Sequence, residues 1–274
     1  MKKRISRKKV IKIKFVIMAA LALSVVFLTL FAGFIAKNDP YQTCAISIRT
    51  APCVDYPFGT DNLGRCIFAR VLYGGRTTIA ATFAIVFISF AIGTVIGMVC
   101  GYFGGIIDRV LMRLADITLG FPQMVVAIAV AGILGGGIKS AMIALGITMW
   151  VSFARLARSH TFSIRSAAFV QTARFAGKND AYIIMVHVFP NLLAPVLTNA
   201  LTQIGTTMIG LSGLSFLGLG VIPPAAEWGA MISEARAYIQ IAPWAVIYPS
   251  VATIITIIIF NYLGDVIMDY REVR

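Results

Sequence analysis

Charged side chains are scarce in this chain. Asp, Glu, Lys and Arg together make up 13% of its 274 residues, whereas hydrophobic residues make up 59%. The mean hydropathy is +0.87. A soluble domain ordinarily has about 25% charged residues, because its surface must be covered by groups that water solvates. The shortage of charge therefore excludes a water-soluble globule and indicates an integral membrane protein.

Six apolar stretches have the length, or nearly the length, of a membrane-spanning helix, which takes roughly 20 residues to cross about 30 Å of hydrocarbon. None of them shows the alternation of polar and apolar residues that marks a barrel strand. We therefore predict an all-α membrane protein with six transmembrane helices. The stretches, of which the fourth is the shortest, are residues 15–36, 78–101, 117–135, 140–154, 192–214 and 243–263.

Asp, Glu, His and Lys are absent from these six stretches. Ion-driven carriers usually place such residues inside the membrane to bind a proton or a sodium ion, so an ion-driven relay is not supported. A phosphate-binding loop is also missing, because the nearest approach, Gly-Gly-Gly-Ile-Lys-Ser at 135–140, has isoleucine where the pattern needs glycine. No catalytic arrangement and no metal-ligand cluster is found. We predict that the chain is not an enzyme and that any energy comes from another polypeptide.

The four cysteines have no spacing typical of metal ligands. Cys44 and Cys53 share the first loop, which is predicted to lie outside the cell, where oxidising conditions would permit a disulfide. Two free thiols fit the sequence at least as well, so both alternatives stay open.

Basic residues are divided unequally between the two sides of the predicted membrane protein. If the N-terminus is cytoplasmic, 17 of the 24 Lys and Arg residues lie on the inner side, as the positive-inside rule requires. We therefore predict a multi-pass protein of the cytoplasmic (inner) membrane with both termini in the cytoplasm. Anionic lipid accounts for the net charge of +13, so no nucleic-acid partner is needed. A cleaved signal peptide is the less favoured alternative, because the first apolar run is too long.

A polar segment at 155–190 separates two predicted spans and must face water. Gly177 is placed to end a helix in the left-handed conformation, and Asn179 or Asp180 can cap a second helix that runs to Pro190. The segment is thus predicted to be helix, turn and helix, and it could receive a partner protein. An amphipathic connector resting on the bilayer is the alternative. The first helix has an apolar face of Phe169, Val170, Ala173 and Ala176 and a polar face of Gln171, Arg174 and Lys178.

Three further patterns predict local structure. Small residues recur every four positions at 89–105 in the second span, which allows another helix to approach closely. An amphipathic helix at 65–76 is expected to lie in the outer interface before that span. The segment at 218–244 is expected to be re-entrant or surface-lying near the outer mouth, with Trp228 and Trp244 as interfacial anchors.

The polar segment resembles the cytoplasmic loop of ABC-importer permeases, whose pattern is Glu-Ala-Ala-x3-Gly-x9-Ile-x-Leu-Pro. Gln171, Thr172 and Ala173 lie over its first three positions, Gly177 lies over its glycine, and Pro190 lies over its proline. Ala173, Gly177, Pro190 and their spacing carry the resemblance.

More specific motifs lie outside that segment and are similar to those of permeases in the oligopeptide, dipeptide and nickel ABC importers. The resemblance runs in order over roughly residues 57–270. Cys66 departs from it, since the family usually has aspartate at that position. The motifs are Pro-Phe-Gly-Thr-Asp-Asn-Leu-Gly-Arg at 57–65, Gly-Tyr-Phe-Gly-Gly at 101–105, Ser-Phe-Leu-Gly-Leu-Gly at 215–220 and Glu-Trp-Gly-Ala-Met at 227–231.

The resemblance implies a type I ABC-importer permease fold and a defined set of coupling residues. The apolar stretches, the distribution of basic residues and the resemblance together predict a basic cytoplasmic N-terminus (1–14), a first transmembrane helix (15–36), an extracytoplasmic loop with an interfacial helix (37–76), a five-helix permease domain (77–267) with a coupling segment (160–185), and a cytoplasmic tail (268–274). The residues implied in coupling to the ATPase are Gln171, Thr172, Ala173, Arg174, Gly177 and Pro190.

The resemblance also implies partners and a function. The implied partners are a homologous second permease, two cytoplasmic ATP-binding subunits and an extracytoplasmic solute-binding protein, within membrane lipid. The chain itself needs no cofactor, because ATP is used by the partner subunits. The implied function is uptake of short peptides or a similar small solute, with nickel or a nickel chelate as the alternative. A non-transporting scaffold and a facilitator without an ATPase are the alternatives from other classes, and the substrate-binding residues stay unknown.

Overall fold

The computed structural model describes the backbone of residues 2–272, with side chains described for residues 10–269. Within those residues the secondary structure is helical, with a single isolated bridge between Thr60 and Cys66 and no strand. A π-helical turn at Ile184–Val188 joins the helix Asp180–Ile183 to the helix Phe189–Phe216. The helices are α1 Lys2–Leu30, α2 Ala32–Ile35, α3 Ile67–Phe103, α4 Gly105–Leu119, α5 Gln123–Ile133, α6 Ile138–Arg165, α7 Ala168–Phe175, α8 Asp180–Ile183, α9 Phe189–Phe216, α10 Trp228–Ala235 and α11 Trp244–Glu272.

Five helical stretches in the described part of the chain are long and apolar enough to cross a membrane, and a sixth span requires α4 and α5 to be counted together. These two helices meet at a 90° bend. The predicted continuous span at 117–135 is therefore broken, because α4 ends at Leu119 and Pro122 sets the start of α5. The predicted short span at 140–154 is part of the longer helix α6. The all-α membrane fold is confirmed.

The core of the bundle is the contact between α3 and α6. A Cβ atom built on Gly101 would lie 2.6 Å from the carbonyl oxygen of Arg158, and Cβ atoms on Gly93 and Gly97 would overlap the carbonyl oxygens of Trp150 and Ala154. The glycines thus let the two backbones touch, as the predicted small-residue stripe requires. Gly105 does not belong to the stripe, because it starts α4 with φ +66° and nothing lies within 4 Å of its Cβ position.

One end of the bundle, here called the α10 end, holds a buried group of two arginines and two carboxylates. Arg65 lies 2.6 Å from both Asp61 and Glu234, while Arg70 lies 3.6 Å from Asp61 and 3.4 Å from Glu234. The group is neutral as a whole, which offsets the cost of removing each charge from water. Burial and the nearby Asp61 raise the pKa of Tyr238 to about 12, so its hydroxyl stays protonated beside this group.

The predicted interfacial helix at 65–76 is wrong. The residues expected to form a separate helix in the outer interface are the first turns of α3, which begins at Ile67 and continues to Phe103. Ile67 and Arg70 are buried rather than exposed to an interface. Local sequence does not reveal this burial, because Arg70 pairs with the carboxylate of Glu234, which lies on α10 far away in the sequence.

The segment at 218–244 also packs more deeply than predicted. Trp228 is only 2% exposed, and its ring nitrogen donates to the Val71 carbonyl oxygen at 2.8 Å, so it is not an interfacial anchor. Glu227 is fully buried, where it accepts from the Thr78 hydroxyl at 3.0 Å and from the Ala230 amide at 2.8 Å. The second of these bonds caps α10. The segment therefore closes the bundle against α3.

The loop that precedes α3 contains three of the four cysteines. Cys44 is half-buried and Cys53 is exposed, and both are free thiols, which decides between the two alternatives left by the sequence. Cys66 is buried at the start of α3 and makes no capping hydrogen bond there. An aspartate in its place would supply a carboxylate of the kind that caps helices.

We expect Gly97→Ala to push α3 and α6 apart, because the new Cβ would overlap the Ala154 carbonyl oxygen and lie 2.7 Å from the Cβ of Ala157. Overpacking of this kind typically costs about 1–3 kcal/mol. The midpoint of thermal unfolding in detergent should fall accordingly. Gly132→Ala in α5 is the matched control, since nothing lies within 4 Å of its Cβ position. Equal midpoints for the two variants would show that the α3–α6 contact is not tight.

Candidate coupling segment

The opposite end of the bundle, here called the α7 end, is formed around a short amphipathic helix. Ala167 precedes α7 with an extended backbone, which turns the chain away from the end of α6. Val170 is fully buried, and Ala173, three residues later, is half-buried against the core. Phe169 and Ala176, which were predicted to share this apolar face, are exposed. The apolar face of the helix is therefore packed on the bundle only through Val170 and Ala173, and its other apolar side chains are exposed.

The turn after α7 is built on Gly177. Its φ is +75°, in the left-handed region that residues with a Cβ atom rarely adopt. The Lys178 amide donates to the Ala173 carbonyl oxygen at 3.1 Å, and the Gly177 amide donates to the Arg174 carbonyl oxygen at 3.0 Å. These two bonds form a Schellman motif, which satisfies the last carbonyl groups of the helix. The predicted left-handed glycine at the end of this helix is confirmed.

The next helix begins at the cap that the sequence indicated. The side chain of Asn179 accepts a hydrogen bond from the Tyr182 amide at 2.8 Å, which starts α8. The predicted helix to Pro190 does not end there, because a π-helical turn carries the chain directly into α9. Pro190 lies in the first turn of α9, where its missing amide proton is tolerated. α8, the π-helical turn and α9 therefore form one continuous helical run, Asp180–Phe216.

The side chain of Arg174 is exposed, yet it also makes contacts with other residues of this chain. Its guanidinium donates to the Tyr102 hydroxyl at 3.2 Å, and that hydroxyl donates to Asp180 at 2.6 Å. The Arg174 guanidinium also lies 4.0 Å from the carboxylate of Asp180. The hydrogen bond to Tyr102 raises the pKa of Arg174 above its usual value, so the arginine stays charged. This cluster ties α7 to the end of α3 and to the start of α8.

Two members of this cluster were not among the predicted coupling residues. Asp180 was noted only as a possible cap, and Tyr102 only as part of a motif. Tyr102 directly follows Gly101, the last glycine that touches α6. Its position at the end of this close contact is the sequence feature that could have identified it. The contact itself joins residues 72 positions apart, which no local pattern reveals.

Apart from Pro190, the predicted coupling residues lie in α7 and in the turn that follows it. Gln171 is half-buried and its amide nitrogen donates to the Arg165 carbonyl oxygen at 3.1 Å, while the Thr172 hydroxyl donates to the Ala168 carbonyl oxygen at 2.9 Å. Both side chains thus hold the local fold of α7. Pro190 is exposed and lies beyond the π-helical turn.

The surface of this turn is apolar and basic. Phe175 is 88% exposed at the end of α7, and Met185 is 61% exposed in the π-helical turn. The ammonium group of Lys178 lies 5.1 Å from the centre of the exposed Tyr182 ring. A protruding aromatic residue flanked by cations is suited to fill a groove in another protein whose rim carries carboxylates.

The two histidines near this segment differ in their surroundings. The His187 ring lies 6.0 Å from the ring centre of Phe169 and 5.9 Å from that of Tyr182, so it packs among aromatic side chains. His160, on α6, lines a cavity between α6, α9 and α11. Among the described residues there is no group of three His, Cys, Asp or Glu side chains that could hold a metal ion.

Comparisons with known proteins agree with this architecture. The family model described as "Binding-protein-dependent transport system inner membrane component" matches residues 93–274. The dipeptide transport system permease protein DppC of Alkalihalophilus pseudofirmus is 36% identical over 246 residues, which are 90% of this chain and 81% of the relative. The glutathione transport system permease protein GsiD of Escherichia coli O6:K15:H31 is 39% identical over 252 residues, which are 92% of this chain and 83% of the relative.

The fold is similar to that of a chain in a solved ABC transporter. Two structures of the MetNI methionine ABC transporter in inward-facing conformations match with TM-scores of 0.59 and 0.60, at 19% and 20% sequence identity. The match covers 74% and 75% of this chain and 96% of the other chain in both cases. The chain therefore belongs to the binding-protein-dependent transport system inner membrane components, the permeases of ABC importers, and is a transporter subunit rather than an enzyme.

Proposed function

We propose that this chain is a permease subunit of an ATP-driven importer that takes up short peptides or similar small solutes such as glutathione. The observation that carries the proposal is the turn at Gly177, which is exposed, rigidly capped and joined directly to a membrane span. Such a turn can receive force from a soluble partner and pass it to the span. The substrate class is supported by the names of the dipeptide and glutathione permeases to which the chain is similar.

Each end of the bundle has a proposed partner. Two ATP-binding subunits, one on this chain and one on a homologous second permease, bind the coupling segments in the cytoplasm. A solute-binding protein delivers its cargo at the α10 end. Both termini are then proposed to lie in the cytoplasm, as the distribution of basic residues along the sequence indicates. ATP is used by the partner subunits, so this chain needs no cofactor of its own.

The coupling segment has two rigid connections to the membrane helices. Through Arg174 and Tyr102 it is joined to α3, and through the π-helical turn it is joined to α9. When the ATP-binding subunits close, a displacement of α7 and α8 tilts α9 against α3 and α6. The spans then switch from an inward-facing to an outward-facing arrangement, which is a rigid-body change between two packed states.

The proposed function is tested by uptake into proteoliposomes that contain this permease with its partner permease, ATP-binding subunits and solute-binding protein. We expect ATP-dependent uptake of radiolabelled dialanine or glutathione, and none with a hydrolysis-deficient ATP-binding subunit. Uptake of a nickel–histidine chelate with no uptake of either peptide would overturn the substrate class. A permease that purifies from native membranes with no ATP-binding subunit would favour the scaffold or the facilitator.

Gly177→Val is expected to reduce transport while the protein still inserts into the membrane. A left-handed conformation costs a residue with a Cβ atom about 1 kcal/mol or more, and a β-branched side chain most of all. Nothing lies within 4 Å of the Cβ position, so the strain comes from the backbone alone. Gly177→Asn is the matched control, because asparagine tolerates this conformation. Uptake that is equal in the valine and asparagine variants would contradict a coupling role for the turn.

Arg174→Glu is expected to uncouple ATP hydrolysis from transport. A charge-assisted contact at a partly desolvated interface is worth about 1–3 kcal/mol, so stimulation of ATPase activity by the loaded binding protein should fall about fivefold or more. Tyr102→Phe is the control, since it removes the hydrogen bond to Arg174 inside the chain and leaves the exposed guanidinium in place. If Tyr102→Phe uncouples the complex equally, the role of Arg174 is to hold α7 on α3 rather than to bind the ATPase.

A further inference from the structure

Three polar side chains lie on one face of α6 and α9, each near the middle of its helix. Ser152 and Thr206 are exposed, and Gln203 is half-buried between them. The Gln203 amide nitrogen donates to the Ser152 hydroxyl at 3.3 Å. The Thr206 hydroxyl lies 3.0 Å from both the backbone and the side-chain carbonyl oxygen of Gln203, which share its single hydrogen. The three residues, here called the Gln203 face, therefore form one hydrogen-bonded group on two neighbouring helices.

Gln203 lies well within the length of a candidate membrane-spanning helix. In α9, Phe189–Phe216, Gln203 is near the midpoint. With a rise of 1.5 Å per residue it is about 20 Å from either end of the helix. An amide and two hydroxyl groups facing hydrocarbon at this depth would be costly, because lipid offers no hydrogen bonds. The face is therefore covered by water, by solute or by another polar protein surface, rather than by lipid.

Polar groups continue from this face toward the α7 end. Asn199 is one helical turn from Gln203, and its amide nitrogen is buried without a hydrogen-bond partner. Asn199, Thr202 and His160 line a cavity of about 650 Å³ between α6, α9 and α11. Most of the cavity lining is apolar, and these three side chains give it a polar part that can hold water or a hydrogen-bonding ligand.

Another groove on α9 has a different character. It has a volume of about 470 Å³ and is lined by apolar side chains that include Phe83, Phe87 and Leu197. The polar residue in it, Thr198, donates its hydroxyl hydrogen to the Ala194 carbonyl oxygen in its own helix. Such a groove suits lipid chains. Different faces of α9 are thus polar and apolar at membrane depth.

The hydrogen-bonding capacity of Gln203 is only partly used. Its amide nitrogen has two hydrogens and makes one bond to Ser152, and its carbonyl oxygen has two lone pairs and accepts from Thr206. One donor and one acceptor therefore stay available next to each other. A peptide amide has the complementary acceptor and donor, whereas a hydrocarbon surface has neither.

We propose that the Gln203 face lines the path of the solute and that Gln203 forms hydrogen bonds with amide groups of the transported molecule. This inference rests on the proposed function, because it takes its ligand from the peptide class. Gln203 is then a specificity-determining residue for neutral amide-containing solutes. Asn199 and the cavity beside it extend the polar path to the α7 end.

The test is the reactivity of single cysteines in the reconstituted complex with its partner permease, ATP-binding subunits and solute-binding protein. We compare Gln203→Cys with Leu197→Cys, which is half-exposed on the apolar groove of the same helix. The probe is a membrane-impermeant cationic methanethiosulfonate, and labelling of the parent chain gives the background from the native cysteines. We expect Gln203→Cys to be modified at least tenfold faster than Leu197→Cys and to be protected by saturating dialanine.

A second measurement addresses recognition by the side chain. Gln203→Leu removes the amide at similar size, and we expect the KM for dialanine uptake to rise at least fivefold. Leu197→Met is the matched control on the same helix and should leave the KM unchanged. Equal KM values for Gln203→Leu and the parent chain would overturn the recognition role.

The outcomes separate this inference from the proposed function. A complex that imports dialanine while Gln203→Cys resists the probe, or cross-links to the second permease, overturns the path assignment and leaves the function standing. A complex that imports no peptide although Gln203→Cys is modified rapidly overturns the proposed peptide importer, and the polar path remains supported.

Discussion

The close contact between α3 and α6 is the constraint on which the other parts of this protein depend. It exists because three glycines, four residues apart, bring the backbone of α3 onto carbonyl oxygens of α6. With 37 residues, α3 is about 55 Å long and reaches both ends of the bundle. At the α10 end, its Arg70 and Thr78 hold α10, and at the α7 end its Tyr102 holds Arg174. A single rigid helix thus positions both the closing segment and the coupling segment.

The second long element, α9, connects the coupling segment with the polar Gln203 face. Because the π-helical turn at Ile184–Val188 leaves no loop between α8 and α9, a continuous helical run connects the turn after Gly177 with Gln203. In a lipid environment, packing and hydrogen bonds rather than the hydrophobic effect hold helices together.

The buried charges at the α10 end show how the chain avoids exposing ions to hydrocarbon. Two arginines and two carboxylates neutralise one another, and the buried carboxylate of Glu227 is satisfied by a hydroxyl and a backbone amide. These groups come from the loop before α3, from α3 itself and from α10. Their mutual neutralisation explains why a segment that looked interfacial in the sequence is packed inside the protein.

The sequence by itself determined the membrane class, the helical fold, the left-handed Gly177, the Asn179 cap and the small-residue stripe, because composition and spacing of a few residues decide these features. The tertiary structure alone decided that the stripe meets α6, that Trp228 is buried, that Arg174 binds Tyr102 and that Gln203 meets Ser152. Each of these contacts joins residues far apart in the chain, so its existence depends on how whole helices pack rather than on any local pattern.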